Sequence, residues 1–351
     1  MSTYLRLLLI PFSLIYGLII LVRNKLFDWN LLHSTRFNLP VICVGNLVVG
    51  GSGKTPVTEY LVALLKNKRI AILSRGYGRE TKGFILADRT ATARLIGDEP
   101  MQYFNKFPDV AIAVCEDRVH GLRMLEKDYD VIILDDAFQH RSLQPGFSVL
   151  LFDYKTFFKP QLLLPAGNLR EPFSGYQRAN VILITKCPSD EPQKEAFKIT
   201  SKFQGLSREK IFFSSIAYFE PVSLFDHTKT APLNKTISIH LITGIANTTT
   251  LLEYLNSIST LTSHLEYPDH YQFSLNDISK LVSGYKKDLS THKIILTTEK
   301  DSQRLLDAPI KELLLDLPVF YLPIHYELRS PDKNLFDQMI LDYVSSATRN
   351  R

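Results

Sequence analysis

The stretch VGNLVVGGSGKTP, residues 44–56, decides the fold of this chain. An apolar run precedes it, and the residues after it place apolar side chains at helical spacing. A strand, a glycine-rich loop ending in Gly53, Lys54 and Thr55, and then a helix is the order typical of a phosphate-binding loop. The strict pattern has glycine where Val48 stands, so we expect a longer or differently turned loop. The alternative is a glycine-rich turn with an incidental Gly-Lys-Thr.

The chemistry of such a loop suits a nucleotide. Backbone amides of the loop and of the helix N-terminus point at phosphate oxygens, and Lys54 adds a mobile positive charge. The Thr55 hydroxyl can ligate Mg²⁺. We therefore expect ATP-binding contacts from Gly50, Gly51, Ser52, Gly53, Lys54 and Thr55.

Short apolar runs recur along the first half of the chain. Few polar residues interrupt them, which favours parallel strands covered by helices on both faces. These runs lie at 39–46, 69–76, 110–115, 129–136, 147–153 and 179–186. The predicted fold class is α/β, with a mostly parallel sheet like that of phosphate-loop NTPases.

The chain divides into four predicted segments. Residues 1–28 form an N-terminal membrane-associated helix, and residues 29–190 form the phosphate-loop core. Residues 191–234 are polar and broken by prolines, which indicates a connector with one strand. Residues 235–351 repeat the strand pattern at 237–247, 293–301 and 318–324, which predicts a second, smaller α/β domain.

Composition sets further bounds. With 45% hydrophobic and 22% charged residues the 351-residue chain is an ordinary globular protein of two domains. A net charge of +5 does not imply a nucleic-acid partner, although it suits anionic ligands or lipid headgroups. The three cysteines fit neither a zinc spacing nor a disulfide framework, which suits a reducing compartment.

The N-terminal residues 7–22 carry no charge and lie between Arg6 and Arg23. Sixteen residues reach about 24 Å as a helix, short of the roughly 30 Å hydrocarbon core of a bilayer. Flanking basic residues and Trp29 favour a helix on or dipping into the cytoplasmic leaflet. A buried core helix and a cleaved signal peptide are the alternatives, the latter without a small-residue cleavage site.

A pair of carboxylates ends the predicted strand at 129–136. Asp135 and Asp136 follow four apolar residues, as needed to hold Mg²⁺ or its water beside nucleotide phosphates. Successive strand residues point to opposite faces, so one carboxylate would face the metal and the other a hydrogen-bond partner. Which of the two coordinates stays open, and a solvated strand cap is the alternative.

Eight motifs then follow one another in a recognisable order: VGNLVVGGSGKTP (44–56), SRGYGR (74–79), GDEP (97–100), EDR (116–118), LDDAFQH (134–140), LLLPAGNLREP (162–172), PDHYQF (268–273) and TTEKD (297–301). In these the chain resembles the tetraacyldisaccharide 4′-kinase family of Gram-negative bacteria over nearly its whole length. Ala137 stands where that family has glycine and Asn168 where it has proline; neither change removes a reactive group.

The resemblance implies transfer of the γ-phosphate of ATP, with Mg²⁺, to the 4′-hydroxyl of tetraacyldisaccharide 1-phosphate, giving lipid IVA. It also implies a lipid substrate and a place at the cytoplasmic face of the inner membrane. The N-terminal helix fits, since a four-chain amphiphile stays in the bilayer. We expect a monomer with no nucleic-acid partner.

Site residues follow from the same resemblance. Asp98 resembles the family's catalytic aspartate and His270 the histidine that pairs with it, so Asp98, His270 and Lys54 are the predicted catalytic residues. Because 172 positions separate Asp98 from His270, their pairing requires the second domain to close over the first. A helix cap at Asp98 and a surface histidine at His270 are the alternatives.

Three arginines lie inside the matched motifs. Arg75, Arg118 and Arg170 resemble the family's substrate- and phosphate-binding residues, since a guanidinium grips phosphate in a planar fork. Each could instead form a structural ion pair. Thr55, Asp135, Asp136 and Glu171 are the predicted metal ligands.

Two other classes of protein remain alternatives. A phosphate-loop GTPase or metallochaperone would use the same loop, and ITKCPSD at 184–190 faintly resembles a guanine-binding motif, but Pro188 occupies the place of its acidic residue. A nucleotide sensor at the membrane would not require Asp98 or His270.

Overall fold

A computed structural model describes residues 6, 8–188, 193–330 and 332–349. The strands of the described residues are β1 Val41–Asn46, β2 Ile70–Ser74, β3 Ile85–Leu86, β4 Ala111–Val114, β5 Val131–Asp135, β6 Phe147–Asp153, β7 Val181–Thr185, β8 Ile211–Tyr218, β9 Val222–Ser223, β10 Ser238–Thr243, β11 Thr260–Glu266, β12 Lys293–Thr298, β13 Val319–Leu322 and β14 Ile324–Leu328.

The α-helices of the same residues are α1 Ile10–Asp28, α2 Lys54–Leu64, α3 Ala93–Ile96, α4 Asp98–Lys106, α5 Arg118–Leu125, α6 Tyr154–Phe157, α7 Gln193–Thr200, α8 Thr249–Ile258, α9 Leu275–Lys287, α10 Glu299–Leu305, α11 Ala308–Leu314 and α12 Asp332–Arg349. Short 3₁₀ helices cover Phe173–Arg178 and Arg208–Lys210.

The larger sheet carries the predicted phosphate loop. Over the described ranges its strand order is β14-β8-β7-β6-β1-β5-β2-β4-β3, parallel throughout except at its two edge pairs. Its central strands are buried on both faces, as their uninterrupted apolar sequences predict. The chain runs from β1 to β2 on one side, and β6 lies on the other side of β1. Ligands bind at such a reversal of strand order, at the carboxyl ends of the strands. The predicted α/β class is confirmed.

The second sheet is smaller than the first. Its strands follow the order β11-β10-β12-β13-β9, parallel except for the short β9 at one edge. Strands β10, β12 and β13 lie within the apolar runs predicted at 237–247, 293–301 and 318–324. Helices α9 and α11 pack on one face, and α8 packs on the other.

The end of the chain returns to the larger sheet. Strand β14 pairs with β8 at the sheet edge, and α12 buries Phe336, Ile340 and Val344 against the face that also holds α2. By their position in the chain these residues were predicted to belong to the smaller α/β domain at 235–351. Their apolar spacing is the same for either sheet, so the pattern alone did not indicate which sheet they join.

Helix α1 packs along a narrow line against the connection at 162–171, between β6 and β7. Ser13 donates a hydrogen bond to the carbonyl of Leu163 at 3.0 Å, and Tyr16 donates one to the carbonyl of Arg170 at 2.7 Å. By length and composition α1 could cross a membrane, yet only 11% of its most apolar window is buried. A buried core helix, the alternative considered above, does not describe this arrangement.

Candidate active site

The phosphate loop joins β1 to α2 at the centre of the larger sheet. Gly53 caps α2 with a φ of +83°, a left-handed conformation that glycine adopts without strain. Asn46 donates a hydrogen bond to the Ser52 hydroxyl at 2.7 Å, which fixes the loop from below. Val48, where the strict pattern has glycine, forms a bridge with Leu169, so the loop is pinned to the neighbouring segment.

Positive charge is concentrated at the end of this loop. The Lys54 ammonium lies 3.7 Å from the Asp136 carboxylate, and the Arg170 guanidinium lies 2.8 Å from its other oxygen. Burial would raise the pKa of Asp136, but Lys54 and Arg170 outweigh burial and lower the pKa. Asp136 itself has a left-handed φ of +51°. The two cations are therefore held in place by one carboxylate beside the loop.

Asp135 is the last residue of β5, adjacent in register to Val44 of β1. It is only 1% exposed, and its Oδ1 has no hydrogen-bond partner in the described part of the chain. Burial, followed by the negative charge of Glu99, raises the pKa of Asp135 to about 7. The other oxygen, Oδ2, accepts a hydrogen bond from the Tyr103 hydroxyl at 3.3 Å. A buried carboxylate with one unpartnered oxygen is costly, and a nearby cation would reduce the cost.

The donor set fits Mg²⁺ of the kind found with nucleotides. No group of three or more His, Cys, Asp or Glu side chains among the described residues could hold a metal alone. Mg²⁺ in kinases needs no such cage, because one or two carboxylates, a hydroxyl, phosphate oxygens and water suffice. Thr55 lines the cleft, and Asp135, whose charge interacts with that of Lys54, has a buried oxygen without a hydrogen-bond partner among the described residues.

Glu171 is differently placed from the other predicted metal ligands. Both of its carboxylate oxygens accept hydrogen bonds from Arg178, at 3.0 and 2.9 Å, and Gln139 and Asn24 contact it at 3.0 and 3.2 Å. It is fully buried. These bonds favour a structural role, in which Glu171 joins α1 to the larger sheet, and its predicted metal contact stays a prediction.

The other two predicted arginines lie at the edge of this region. Arg118 is buried, and its guanidinium donates to the carbonyls of Glu116 at 2.9 Å and Asp136 at 3.3 Å. Burial and then the charge of Arg75 lower the pKa of Arg118. Arg75 is exposed beside it. Neither side chain lines the main cleft, so Arg118 braces the loop after β5 while Arg75 faces solvent.

Asp98 and His270 come together from the two sheets. Asp98 is the first residue of α4 and 5% exposed, while His270 lies in the loop after β11. His270 Nδ1 lies 3.1 Å from Asp98 Oδ2. The φ of His270 is +59°, a strained conformation for a residue with a side chain, and its amide donates to the carbonyl of Gly244. The two residues predicted to pair across 172 positions are thus in contact.

A buried arginine also lies beside Asp98. The Arg304 side chain is 1% exposed, and its Nε lies 3.3 Å from Asp98 Oδ2, within ion-pair distance although not aligned for a hydrogen bond. Burial would raise the pKa of Asp98, but the His270 hydrogen bond and the charges of Arg304 and Lys300 together lower it. The carboxylate is therefore ionised and ready to accept a proton, with some loss of basicity.

One cleft of about 370 Å³ is lined by the phosphate loop and by His270 and Glu99, two neighbours of Asp98. Its polar lining also includes Asp136 and Arg170. Its apolar lining, which suits a nucleobase, includes Ile216, Tyr218, Ile245, Leu251, Leu322 and Ile324. No sequence pattern marks these apolar residues as functional, because they resemble ordinary core positions and lie on five separate elements and loops.

Comparison with known proteins gives a consistent result. A profile of the tetraacyldisaccharide-1-P 4′-kinase family matches residues 5–345. The tetraacyldisaccharide 4′-kinase of Bacteroides thetaiotaomicron is 44% identical over 357 residues, covering 97% of this chain and 94% of the relative. That of Flavobacterium johnsoniae is 42% identical, covering 97% of each. The crystal structure of Aquifex aeolicus LpxK in complex with ATP matches with a TM-score of 0.73 and 31% identity, covering 97% of this chain and 99% of that one.

Proposed function

This chain belongs to the tetraacyldisaccharide 4′-kinase family, and from that premise we propose how its own residues carry out the reaction. The protein is an ATP-dependent kinase of lipid A biosynthesis. It transfers the γ-phosphate of ATP to the 4′-hydroxyl of tetraacyldisaccharide 1-phosphate, and the product is lipid IVA. The observation that carries the proposed mechanism is the Asp98–His270 contact at one end of the cleft that the phosphate loop lines.

Asp98 is the proposed general base. A sugar hydroxyl is a weak nucleophile, so removal of its proton during attack is worth about 10²- to 10⁴-fold. The Asp98 carboxylate accepts that proton as the hydroxyl oxygen bonds to the γ-phosphorus, and the bond to the ADP oxygen breaks. His270 orients the carboxylate through its Nδ1 contact. Glu99 and His270, which flank Asp98, line the cleft where the acceptor hydroxyl would approach.

The phosphate loop and the cations beside it stabilise the phosphates. The amides of Gly51 to Thr55 and the Lys54 ammonium bind the β- and γ-phosphates, where negative charge develops during transfer. Arg170, held 2.8 Å from Asp136, supplies a second cation. Thr55, Asp135 and Asp136 would hold Mg²⁺, which when bound neutralises charge on the phosphates. Arg75 and Arg118 are proposed to bind an anionic group of the acceptor, with the exposed Arg75 making the direct contact.

The lipid acceptor gives α1 a function. Its exposed apolar side chains include Phe12, Leu14, Ile15, Leu18, Ile19 and Val22. We place this face in the cytoplasmic leaflet of the inner membrane, with the monomer's cleft near the headgroups. The polar contacts of Ser13 and Tyr16 to the segment at 162–170 support this orientation, because they occupy the opposite side of the helix.

The test of the reaction uses purified protein, [γ-³²P]ATP, Mg²⁺ and tetraacyldisaccharide 1-phosphate in detergent, with label followed into lipid. Wild type should label the lipid, and Asp98→Ala should not, while both bind ATP equally. Equal labelling by Asp98→Ala would remove Asp98 as the base. Bound ATP without label in wild type would contradict the assigned acceptor.

The membrane surface is tested by flotation with phospholipid vesicles. Leu14→Glu with Leu18→Glu should leave the vesicle fraction because two charges enter the apolar face. Leu289→Glu is the matched control, since Leu289 is 96% exposed elsewhere. Continued flotation of the double variant would place the membrane contact outside α1.

A further inference from the structure

The TTEKD segment at 297–301 has no part in the mechanism above, yet its residue Lys300 contacts the Asp98–His270 pair. Strand β12 ends at Thr298, whose side chain caps α10, and Lys300 lies in the first turn of that helix. The Lys300 ammonium is 3.0 Å from His270 Nε2. The opposite ring nitrogen, Nδ1, is the one that faces Asp98. Lys300, His270 and Asp98 therefore form a continuous chain of contacts.

The chemistry of the three groups fixes the direction of each hydrogen bond. An ammonium has three donors and no acceptor, so His270 Nε2 must accept from Lys300. A neutral imidazole carries only one N–H, which is then on Nδ1 and is donated to the Asp98 carboxylate. Both contacts are satisfied by one tautomer of His270 alone. The other tautomer would place an N–H against the ammonium and a lone pair against the carboxylate.

We propose, building on the proposed function, that Lys300 is a positioning residue that holds His270 in the Nδ1–H tautomer and so orients Asp98. Lys300 acts through His270 and does not itself take part in the proton transfer. Without this donor, Nε2 is free to take up a proton. His270 then alternates between tautomers, or becomes a cation whose pairing with Asp98 weakens that carboxylate as a base.

The surroundings of Lys300 hold its ammonium in one place. Besides His270, it donates a hydrogen bond to Asp269 at 3.3 Å, and it lies within ion-pair distance of Glu99 at 3.5 Å. The side chain is 20% exposed. An ammonium held between two carboxylates and an imidazole has little freedom left to move, which is what a residue that orients another requires.

The backbone segments that carry the two residues are also tied together. Arg304, one turn after Lys300, donates to the carbonyl of Tyr271, the residue after His270, at 2.6 Å. Asp301 accepts from the amide of Gly244 at 2.9 Å, and Gly244 in turn accepts from the His270 amide. The distance between α10 and the His270 loop is thus set by buried bonds that do not depend on Lys300, so its removal should leave the loop in position.

The experiment compares Lys300→Met and Lys300→Arg with wild type, and Lys280→Met is the matched control because Lys280 is exposed on α9. Protein labelled with ¹⁵N-histidine gives the protonation of each ring nitrogen in long-range ¹H–¹⁵N spectra, and His270→Gln assigns the signal. Steady-state assays give kcat and the KM for ATP.

In wild type and Lys280→Met we expect one tautomer, protonated at Nδ1. In Lys300→Met we expect mixed or doubly protonated His270, a kcat lower by about 10- to 100-fold, and an unchanged KM for ATP, as when an outer partner of a functional histidine is lost. Lys300→Arg should recover the single tautomer and part of kcat, because arginine is also a donor without an acceptor.

An unchanged His270 spectrum in Lys300→Met overturns the proposal. If the KM for ATP rises at the same time, Lys300 is a phosphate ligand instead. The spectrum is recorded without turnover, so it is independent of the proposed reaction. Full kcat in His270→Gln would refute the role of the pair in catalysis even if Lys300 sets the tautomer, and the two failures are therefore distinguishable.

Discussion

The phosphate loop and the Asp98–His270 pair lie at one cleft but are built in opposite ways. The loop is one run of consecutive residues between β1 and α2, braced by local bonds such as Asn46 to Ser52. The pair joins α4 of the larger sheet to a loop of the smaller sheet. Phosphate binding therefore needs mainly the larger sheet, whereas the apolar lining of the cleft and the proton-transfer pair need residues of both sheets.

Charged and polar side chains help to hold the two sheets in this relative position. Lys106 of α4 lies 2.8 Å from Glu59 of α2 and 2.7 Å from Glu299 of α10. Burial, and next the charge of Glu299, raise the pKa of Glu59 to about 7. Asn105 donates to Gln303 at 2.6 Å beside them. One lysine between two buried glutamates is thus a main electrostatic link across the junction.

Among substitutions that test this difference, the one at Asp98 should have the largest effect. Asp98→Ala should lower kcat by about 10²- to 10⁴-fold with little change in the KM for ATP, because a base acts in the transition state. Steady-state kinetics and ATP titration check this. A variant that changes only KM would make Asp98 a binding residue and would erase the contrast between the two regions.

The next largest effect is expected for substitution of Lys54 in the phosphate loop. Lys54→Ala should lower kcat by about 10²- to 10³-fold, the usual cost of one lost electrostatic donor, and should also weaken ATP binding. The ¹H–¹⁵N spectrum of His270 in this variant should match that of wild type, because the Asp98–His270 pair is formed by α4 and the loop after β11. Near-normal turnover would refute the phosphate-loop assignment.

A smaller effect is expected at the junction itself. Lys106→Met leaves Glu59 and Glu299 without their shared cation, so we expect the sheets to separate slightly and kcat to fall about 10-fold. The loss of ATP affinity should be smaller, because the phosphate loop belongs to the larger sheet alone. Adding Glu59→Gln should restore part of kcat because one of the two negative charges is removed. Lys66→Met, at an exposed lysine just beyond α2, is the control. Equal loss of ATP affinity and kcat would show that the two regions do not separate at this contact.

The smallest effect concerns stability. In the protein without nucleotide, Asp135→Asn should raise the free energy of unfolding at pH 8 by about 1–3 kcal/mol, since the charge of a buried carboxylate with one unpartnered oxygen is lost. The native pKa of Asp135, about 7, exceeds its ordinary value of 3.8. The native state therefore keeps a proton that the unfolded chain releases, and wild-type stability falls relative to the variant as pH rises across that interval.

Above about pH 7 the difference should be constant, and below pH 3.8 it should vanish. Denaturant titrations of both proteins at several pH values measure it. A variant that is less stable than wild type at pH 8 would show that the carboxylate is stabilised by a partner in the nucleotide-free protein.

Sequence patterns predicted much of the larger sheet and part of the site. Strand β6, Phe147–Asp153, was predicted to the residue, since apolar runs buried on both faces begin and end sharply. Contacts between segments that are far apart in sequence could not be predicted in this way. The metal role of Glu171 followed from its place in a motif, but its bonds to Arg178, Gln139 and Asn24 come from three separate segments. No local pattern signals such a meeting.

The sequence by itself determined what depends on neighbouring residues. A glycine-rich turn, a lysine and a helix N-terminus lie within a few residues, so the phosphate loop between Gly45 and Thr55 can be recognised in the chain. Family resemblance added the pairing of Asp98 with His270. Only the tertiary structure decided that α12 returns to the larger sheet, that Lys106 links the sheets and that Lys300 contacts His270. Those contacts join residues far apart in sequence, and each depends on the combined packing of both sheets.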